Sequence, residues 1–283
     1  MSTVELEKAP AAVLGLGIIG SRAYGRLRDA GWGVKAWNRT PKGLPGEVSS
    51  ALEAIEGARW ISIYLKDSPA ARATVEAIVP GLKPGMVVLN HSTLDVETTR
   101  WIAAQVAATG ADFLDVPFTG SKVASENGQL VYYTSGDPAL LAEVEPYLRV
   151  TAKDLIPCGE VGAATIVKLA TNLISACTVQ ALAEALAVAT AHGISAENFI
   201  GAVSKNACAS VLSGMKLPTM AGGDFDTHFS LGNMEKDSRY VRALAAEAGL
   251  ETPAIDAVSA RMSALCADGL ADLDYSALAK AYQ

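Results

Sequence analysis

The first half of the chain alternates short apolar runs with stretches of helical periodicity. The apolar runs predict β-strands over residues 11–16, 33–37, 60–65, 86–90, 113–116 and 130–135. Between them, stretches such as 19–30 and 96–109 repeat their apolar positions at the spacing of one helix face. This alternation continues to about residue 156 and predicts a mostly parallel sheet covered by helices.

The second half has a different pattern. After Gly162 the β-like runs fade, and alanine, leucine and glutamate dominate between short turns that contain glycine. A long helix is predicted from about residue 162 to Ala191, with His192 and Gly193 at its end. We therefore predict an α/β domain over residues 11–160 and an all-α domain over 161–283. Residues 1–10 are predicted to form a flexible N-terminal arm.

Composition narrows the classes of function. The chain has 283 residues, half of them apolar and 19% charged, which is enough apolar side chain for a folded core. The formal net charge of −7 argues against a nucleic-acid partner. The most apolar stretch, residues 173–191, contains Gln180 and Glu184, which favours a buried helix over a membrane span. No secretory signal is recognised, so we predict a cytoplasmic protein.

Cysteine and histidine positions add little chemistry. The four cysteines are scattered and form no C-x-x-C pair, which favours reduced thiols in a cytosolic core. The three histidines are isolated from one another in sequence, so no metal site is predicted.

A glycine-rich turn follows the first predicted strand. Residues 15–20 match G-x-G-x-x-G between a strand and an amphipathic helix, the context in which this motif binds a dinucleotide. Gly15 would allow the tight turn, Gly17 the approach of a pyrophosphate, and Gly20 close packing of helix on strand. The first domain is therefore predicted to be a doubly wound Rossmann domain. Its loop contacts to the cofactor are predicted to come from Gly15, Leu16, Gly17, Ile18, Ile19 and Gly20.

The end of the second predicted strand bears on the choice of cofactor. An NAD enzyme usually carries an acidic residue there, which bonds the ribose hydroxyls. In this chain Asn38 takes that place, so no negative charge would repel a 2′-phosphate. Arg39 and Thr40 would supply a guanidinium and a hydroxyl to the phosphate, and Lys42 would add attraction at longer range. These residues predict NADP(H).

A lysine and an asparagine lie four residues apart in the long predicted helix. Lys168 and Asn172 would share one helix face, among several apolar neighbours. A lysine whose ammonium is partly removed from water can act as a general acid or base. On its own, a lysine that reaches from a half-buried helix to water remains the favoured interpretation.

Four stretches taken together resemble the β-hydroxyacid dehydrogenase family. They are residues 13–20 (VLGLGIIG), 115–122 (DVPFTGSK), 159–172 (GEVGAATIVKLATN) and 229–237 (FSLGNMEKD). The resemblance extends from Ala11 to about Ala279. Residues 120–122, 128–130 and 269–276 (GLADLDYS) are similar to glyoxylate and succinic semialdehyde reductases, as is the stretch of residues 37–40.

The resemblance implies roles for the matching residues. Lys168 would donate a proton to the carbonyl oxygen, and Asn172 would hold the substrate and orient that lysine. The substrate would also be contacted by Thr93, Thr119, Gly120, Ser121, Phe229, Lys236 and Asp237. Within that set, Thr119 and Gly120 would bind a carboxylate. Further cofactor contacts would come from Leu65, Lys66, Thr93 and Lys236.

The implied function is an NADPH-dependent reductase or dehydrogenase. It would transfer hydride between NADP(H) and a small β-hydroxyacid, semialdehyde or oxo acid, and the family implies a homodimer or homotetramer. Two alternatives stay open: an imine reductase or reductive aminase, which usually lacks the lysine, and a non-catalytic NADP-binding protein. Thr119 replaces the usual serine, Ala164 the usual glycine and Phe118 a small aliphatic residue, which leaves the substrate open. His91 replaces a smaller or acidic residue and receives no role.

Overall fold

The computed structural model describes residues 8–282, so most of the predicted N-terminal arm, residues 1–7, lies outside the described residues. The chain divides into two compact units, the first reaching Lys168 and the second beginning at Leu169. The boundary falls inside the longest helix, a few residues beyond the predicted domain limit at 160. The predicted fold class, an α/β domain followed by an all-α domain, is confirmed.

The first unit contains an eight-stranded sheet. In chain order its strands are β1 (Ala11–Leu14), β2 (Val34–Trp37), β3 (Trp60–Ile63), β4 (Val87–Asn90), β5 (Asp112–Asp115), β6 (Phe118–Thr119), β7 (Leu130–Ser135) and β8 (Ala152–Gly159). Their order across the sheet is β2-β1-β3-β4-β5-β7-β6, and β8 pairs with β7. Strands β1 to β5 are parallel, whereas β7 runs antiparallel to β5 and β6. The chain thus winds in both directions from β1, as a doubly wound sheet does.

Six helices of the first unit accompany this sheet. They are α1 (Gly20–Asp29), α2 (Ala51–Ile55), α3 (Ser68–Ile78), α4 (Val96–Ala107), α5 (Lys122–Glu126) and α6 (Pro138–Leu148). Val13 of β1 belongs to the core cluster that contains Leu27 of α1, whereas Leu14 belongs to the cluster that contains Ile102 of α4. Successive residues of β1 are therefore buried on opposite faces, which explains why this central strand is apolar throughout.

Strand β8 was not predicted. It pairs in parallel with β7, and most of its residues are at least partly exposed. Lys153, Asp154 and Pro157 interrupt its apolar pattern. Charged residues and proline are tolerated at a sheet edge because an edge strand leaves one side of its backbone unpaired. The sequence pattern of β8 is consequently that of a loop.

The second unit is helical. After α7 (Ala163–Ala191), in which the unit boundary falls, it contains α8 (Ala196–Val203), α9 (Val211–Gly222), α10 (Leu231–Glu247) and α11 (Pro253–Leu265), then a single turn over Cys266–Leu270 and a 3₁₀ segment over Tyr275–Tyr282. Serine side chains cap α8, α9 and α10 by accepting a backbone N–H of the first turn. These caps explain why the helices start where they do.

Helix α7 is apolar over most of its length. Among residues 8–282 it is the one helix that is long and apolar enough to cross a membrane, judged by length and composition alone. Of its most apolar stretch, 28% is buried within the chain. Ala176, Val179 and Ala183 form a buried side, whereas Ile174 and Val188 are 64% and 62% exposed. The predicted burial of this helix therefore holds for one of its sides.

The predicted core position of the cysteines is wrong. Cys158, Cys177 and Cys266 are half-buried, and Cys208 is exposed. The first three thiols are nevertheless partly removed from water, and this burial raises the pKa of each. None of the four belongs to a core cluster.

A buried carboxylate joins the end of β5 to the start of α7. Asp115 is fully buried and accepts hydrogen bonds from the backbone N–H of Thr165 at 3.0 Å and from the Thr165 hydroxyl at 2.9 Å. The Ser135 hydroxyl donates to it at 3.3 Å, and the Asn90 amide lies at 3.5 Å. Burial raises the pKa of Asp115 to about 6, although these donors lower it.

This carboxyl should make the stability of the protein depend on pH. Its pKa in the folded chain exceeds its ordinary value of 3.8, so its stabilisation is complete below that value and is lost as the pH rises through about 6. We expect the free energy of unfolding to fall by about 2–3 kcal/mol across this range, at about 1.4 kcal/mol per pKa unit. Urea unfolding between pH 4 and 8 measures the fall, and Asp115→Asn should lack it. Parallel curves for both proteins would contradict the assignment.

Candidate functional site

The glycine loop between β1 and α1 has the geometry of a dinucleotide-binding turn. Gly15 has a φ of +99°, and a Cβ at this position would lie 2.2 Å from the Tyr64 carbonyl oxygen. A Cβ at Gly20 would lie 2.0 Å from the carbonyl oxygen of Gly15, so only glycine allows the helix to start this close. Nothing lies within 4 Å of a Cβ built at Gly17. The open face at Gly17 is where a pyrophosphate would approach.

Three backbone donors of this loop are unbonded among the described residues. The N–H groups of Gly17, Ile18 and Ile19 make no hydrogen bond to another group among residues 8–282. Ile18 is 42% exposed, and Ile19 immediately precedes α1. Unbonded N–H groups at the positive end of a helix dipole favour an anion. These residues fit the diphosphate of a nicotinamide dinucleotide.

Asn38 fastens the glycine loop to the end of β2. Its Oδ1 accepts a hydrogen bond from the N–H of Leu16 at 2.9 Å, and its Nδ2 donates to the carbonyl of Thr40 at 2.7 Å. Asn38, which is predicted to contact the cofactor, thus also holds the backbone of the two loops in place. Arg39 and Thr40 are exposed, and the Arg39 guanidinium has no hydrogen-bond or ion-pair partner within the part of the chain that the structure describes.

The ends of β3 and β4 carry three further residues from the prediction. Leu65 is half-buried, and its N–H donates to the Ser92 hydroxyl at 2.8 Å. Lys66 next to it is exposed, and Thr93 is half-buried. Ser92 in turn donates to the Ile63 carbonyl at 3.3 Å. The hydroxyl of Ser92 therefore holds together two loops that leave neighbouring parallel strands.

The predicted carboxylate loop lies in the same unit. Thr119 belongs to β6, opposite Val131, and its hydroxyl has no hydrogen-bond partner among the described residues. Gly120 has a φ of +136°, and a Cβ there would lie 2.8 Å from the Leu130 side chain. The Ser121 hydroxyl caps α5 by accepting the Ala124 N–H at 3.4 Å. The Thr119 hydroxyl is therefore available to bind a ligand, whereas the Ser121 hydroxyl already bonds the backbone of α5.

Lys168 and Asn172 lie one turn apart on α7, and each is 8% exposed. The apolar neighbours predicted for the lysine do not all surround it. Leu169 is fully buried, but Ile166 and Ile174 are 37% and 64% exposed, because they project from a different side of the helix. The two polar side chains are therefore buried on a helix whose opposite side faces outward.

Helix α10 brings two predicted residues to Asn172 in the second unit. The Asn172 Nδ2 donates to Oδ2 of Asp237 at 2.6 Å. The Lys236 Nζ lies 2.8 Å from Oδ1 of Asp237 and also lies over the Tyr240 ring, 4.9 Å from its centroid. Lys236 is 7% and Asp237 1% exposed, so the pair is shielded from water. The structure thus brings together Asn172, Lys236 and Asp237.

Phe229 is held by residues that had no predicted role. Its N–H donates at 3.1 Å to Oδ2 of Asp274, whose Oδ1 is paired with Lys216 at 2.7 Å. The ring of Phe229 meets the edge of Tyr275 at a centroid distance of 6.0 Å. Asp274 lies in the stretch 269–276 that carries part of the family resemblance. Lys216 gave no sequence signal, because its surroundings are those of an ordinary helix position.

Two family profiles together match residues 11–282. The NAD binding domain of 6-phosphogluconate dehydrogenase matches residues 11–162, and the NAD-binding domain of NADP-dependent 3-hydroxyisobutyrate dehydrogenase matches residues 162–282. Glyoxylate/succinic semialdehyde reductase 2, chloroplastic, of Arabidopsis thaliana is 30% identical over 98% of this chain and 80% of its own length. The chain belongs to the β-hydroxyacid dehydrogenase family. The predicted resemblance is confirmed, and this β-hydroxyacid dehydrogenase is an NAD(P)-dependent oxidoreductase acting on hydroxyl or carbonyl groups.

Solved structures agree with this membership. The β-hydroxyacid dehydrogenase is 25% identical to the 3-hydroxyisobutyrate dehydrogenase of Mycobacterium tuberculosis, solved with L-serine, with a TM-score of 0.89 over 97% of this chain and 99% of the other. An imine reductase from Pseudomonas sp. is 24% identical with a TM-score of 0.66, covering 98% and 100% of the chains. The similarity to the imine reductase shows a shared fold alone.

The glycine loop provides a matched pair of variants. Gly17→Ala should fold normally, because its Cβ meets nothing within 4 Å, but should weaken NADPH binding at least about tenfold by blocking the phosphate approach. Gly20→Ala should lower the melting temperature, because its Cβ would lie 2.0 Å from a backbone oxygen. Thermal unfolding without cofactor and NADPH titration by fluorescence measure the two effects. Equal destabilisation by both changes would be inconsistent with this geometry.

Proposed function

We propose that this β-hydroxyacid dehydrogenase transfers hydride between NADP(H) and a small substrate: it reduces a semialdehyde or oxo acid of the glyoxylate or succinic semialdehyde kind, or oxidises a small β-hydroxyacid in the reverse direction. The observation that carries the proposal is the buried Lys168 on the same helix as Asn172, whose amide is fixed by Asp237. Reduction of a carbonyl creates negative charge on its oxygen, and a positioned acid must supply a proton there. Lys168 is that acid.

Asn172 orients the lysine in this proposal. Its NH₂ group donates to Asp237, which leaves the carbonyl oxygen as the acceptor that a lysine ammonium one turn away can use. The paired Lys236 balances part of the negative charge of Asp237. Together these residues give Asn172 one defined amide orientation.

NADPH is the proposed cofactor and supplies the hydride when bound. Asn38 provides no negative charge at the end of β2, and the exposed guanidinium of Arg39 is available for a 2′-phosphate. The Gly17–Ile19 donors bind the diphosphate. Leu65, Lys66 and Thr93 contribute from the ends of the neighbouring strands.

The proposed substrate is small and carries a carboxylate. The hydroxyl of Thr119, which has no hydrogen-bond partner among residues 8–282, and the backbone at Gly120 bind this group. Phe229 is proposed to contact the substrate from the family resemblance alone. The names of the relatives support this class, since glyoxylate, succinic semialdehyde and L-serine are all small carboxylates. The methyl group that distinguishes threonine from serine narrows the space beside the carboxylate.

The second candidate function is imine reduction, which the fold likeness to an imine reductase favours. Lys168 argues against it, because protonating an imine does not require the lysine that a carbonyl does. A purely NADP-binding protein would need neither Lys168 nor the unbonded Thr119 hydroxyl. A homo-oligomer and a cytoplasmic location stay predictions, the first supported by the exposed apolar side of α7.

The lysine provides the decisive test. Lys168→Met keeps most of the side-chain volume but removes the proton, so we expect kcat for the best oxo acid to fall about 10²–10⁴-fold. Affinity for NADPH should change little, because the glycine loop and Arg39 hold it. NADPH oxidation is measured against glyoxylate, succinic semialdehyde, other short oxo acids and a cyclic imine. Lys83→Met, on an exposed loop, is the control.

Two outcomes would overturn this proposal. Retention of more than about a tenth of the wild-type kcat by Lys168→Met would show that Lys168 is not the proton donor. Undiminished turnover of the imine by the same variant, with no turnover of oxo acids by the wild type, would establish imine reduction.

Cofactor preference tests Arg39 separately. Arg39→Ala should raise the Kd for NADPH about tenfold or more, since charge-assisted hydrogen bonds to the 2′-phosphate contribute about 1.5–3 kcal/mol. Binding of NADH, which lacks this phosphate, serves as the internal control and should stay unchanged. An equal loss of affinity for both cofactors, or for neither, would remove Arg39 from the phosphate site.

A further inference from the structure

His91 lies in a buried polar network of the first unit. It follows β4 directly, is 1% exposed, and its ring stacks on Tyr64 with a centroid distance of 4.4 Å and an interplanar angle of 9°. Nδ1 lies 3.0 Å from the carbonyl oxygen of Val116, and Nε2 lies 3.1 Å from the Ser62 hydroxyl. That hydroxyl lies 2.9 Å from the hydroxyl of Tyr147. No step of the proposed reaction uses any of these groups.

The hydrogen bonds of this network fit one assignment of protons. A carbonyl oxygen can only accept, so Nδ1 of His91 carries the hydrogen that binds Val116. Burial lowers the pKa of His91 to about 3, so the ring is neutral and Nε2 is an acceptor. Ser62 must then donate to Nε2, and Tyr147 must donate to Ser62.

The neighbouring aromatic groups keep the network uncharged. Tyr64 at the end of β3 and Tyr132 in β7 pack against the ring, and Tyr147 in α6 bonds Ser62. Burial raises the pKa of each of the three hydroxyls. The Tyr64 and Tyr132 hydroxyls bond each other at 3.0 Å. The position of His91 is therefore set by neutral hydrogen bonds and ring packing.

The bond from His91 to Val116 takes the place of a backbone hydrogen bond that the sheet lacks at this point. The Val116 N–H donates to the Asn90 carbonyl at 2.8 Å, which continues the parallel β4–β5 ladder. The next donor along such a ladder would be the N–H of Ser92, but this group bonds Oδ1 of Asn90 at 3.1 Å instead. The His91 side chain supplies the hydrogen bond at the point where the two strands separate.

Two predicted substrate-binding segments begin at this bond. Thr93 lies two residues after His91, and Thr119 lies three residues after Val116. Pro117 has no N–H to donate, and its carbonyl accepts the Tyr133 N–H at 2.9 Å, which fastens the start of the loop to β7 and not to β4. The contact of Nδ1 with Val116 therefore ties the start of this loop to the residue that precedes the Thr93 turn, next to the backbone bond from Val116 to the Asn90 carbonyl.

We propose that His91 is a positioning residue for substrate binding: by holding the Val116 carbonyl, its Nδ1–H fixes the carboxylate loop of residues 117–121 relative to the turn that carries Thr93. The effect on substrate binding rests on the proposed function. The protonation and tautomer of the His91 ring rest on the hydrogen-bond geometry alone. The two parts are therefore tested separately.

The first test uses the wild-type protein and needs no activity. The chain has three histidines, so ¹⁵N-histidine labelling gives few signals to assign. We expect the His91 ring to be the Nδ1–H tautomer and to show no titration between pH 5 and 9. An Nε2–H tautomer cannot donate to Val116, so finding it, or a ring that becomes charged in this range, would overturn the inference.

The second test compares two amide variants. In His91→Asn the amide NH₂ can take the place of Nδ1–H and keep the bond to Val116, whereas in His91→Gln it reaches toward Ser62. We expect KM for the best oxo acid to rise about fivefold to tenfold in His91→Gln, the loss of one hydrogen bond, and less than about threefold in His91→Asn. In both, kcat and the Kd for NADPH should stay within about threefold, below the effect of one hydrogen bond.

Controls separate positioning from core packing. Tyr147→Phe removes a donor at the far end of the network without touching the Val116 bond, so its KM should equal that of wild type. Equal increases of KM in both amide variants, matched by equal losses in melting temperature, would show that His91 only fills the core. Hydrogen exchange of residues 118–121 should be faster in His91→Gln than in His91→Asn. Unchanged exchange would overturn the inference even in a protein that reduces no oxo acid.

Discussion

The carboxylate of Asp115 determines where helix α7 begins relative to the sheet, and the proposed proton-transfer chemistry depends on that position. The carboxylate is buried and accepts both the backbone N–H and the hydroxyl of Thr165. Thr165 lies three residues before Lys168, which is slightly less than one helical turn. A helix that started one residue earlier or later would turn Lys168 by about 100° about the helix axis. A pKa of about 6 indicates the cost of holding this charge without water.

At the carboxyl edge of β1 to β5, several polar side chains bond backbone groups that the sheet leaves without a partner. Parallel strands separate at this edge, and their backbone groups lose the partners that the ladder supplied. Asn38 satisfies the N–H of Leu16, Ser92 that of Leu65, and the His91 ring the carbonyl of Val116. Each of these side chains is close in sequence to a residue proposed to contact cofactor or substrate. The scaffold and the site are therefore made partly of the same short segments.

The fold class followed from the sequence because the buried strands and the amphipathic helices carry different apolar periods. Strand β8 was not predicted because an edge strand tolerates residues such as Lys153 and Pro157, so its apolar residues do not recur at a regular spacing. The glycine loop was predictable from local spacing, since Gly15 and Gly20 are each required by a clash with nearby backbone. In contrast, the partners of Asn172 and Phe229 lie 65 and 45 residues away, and no local pattern indicates such contacts. The sequence also did not predict which side of α7 is buried, because its apolar residues include the exposed Ile166 and Ile174.

The two hydrogen bonds of Asn38 constrain how this enzyme could evolve a different cofactor. An aspartate at this position would retain an acceptor for Leu16, but it would place a carboxylate oxygen where the amide now donates to the Thr40 carbonyl at 2.7 Å. Two oxygens without a hydrogen between them repel at that distance. An acidic substitution at residue 38, which would favour the unphosphorylated dinucleotide, would therefore need a compensating change near residue 40 before it or with it. In this protein, one side chain therefore supports the geometry of the glycine loop and also occupies the position at which this fold distinguishes the two dinucleotides.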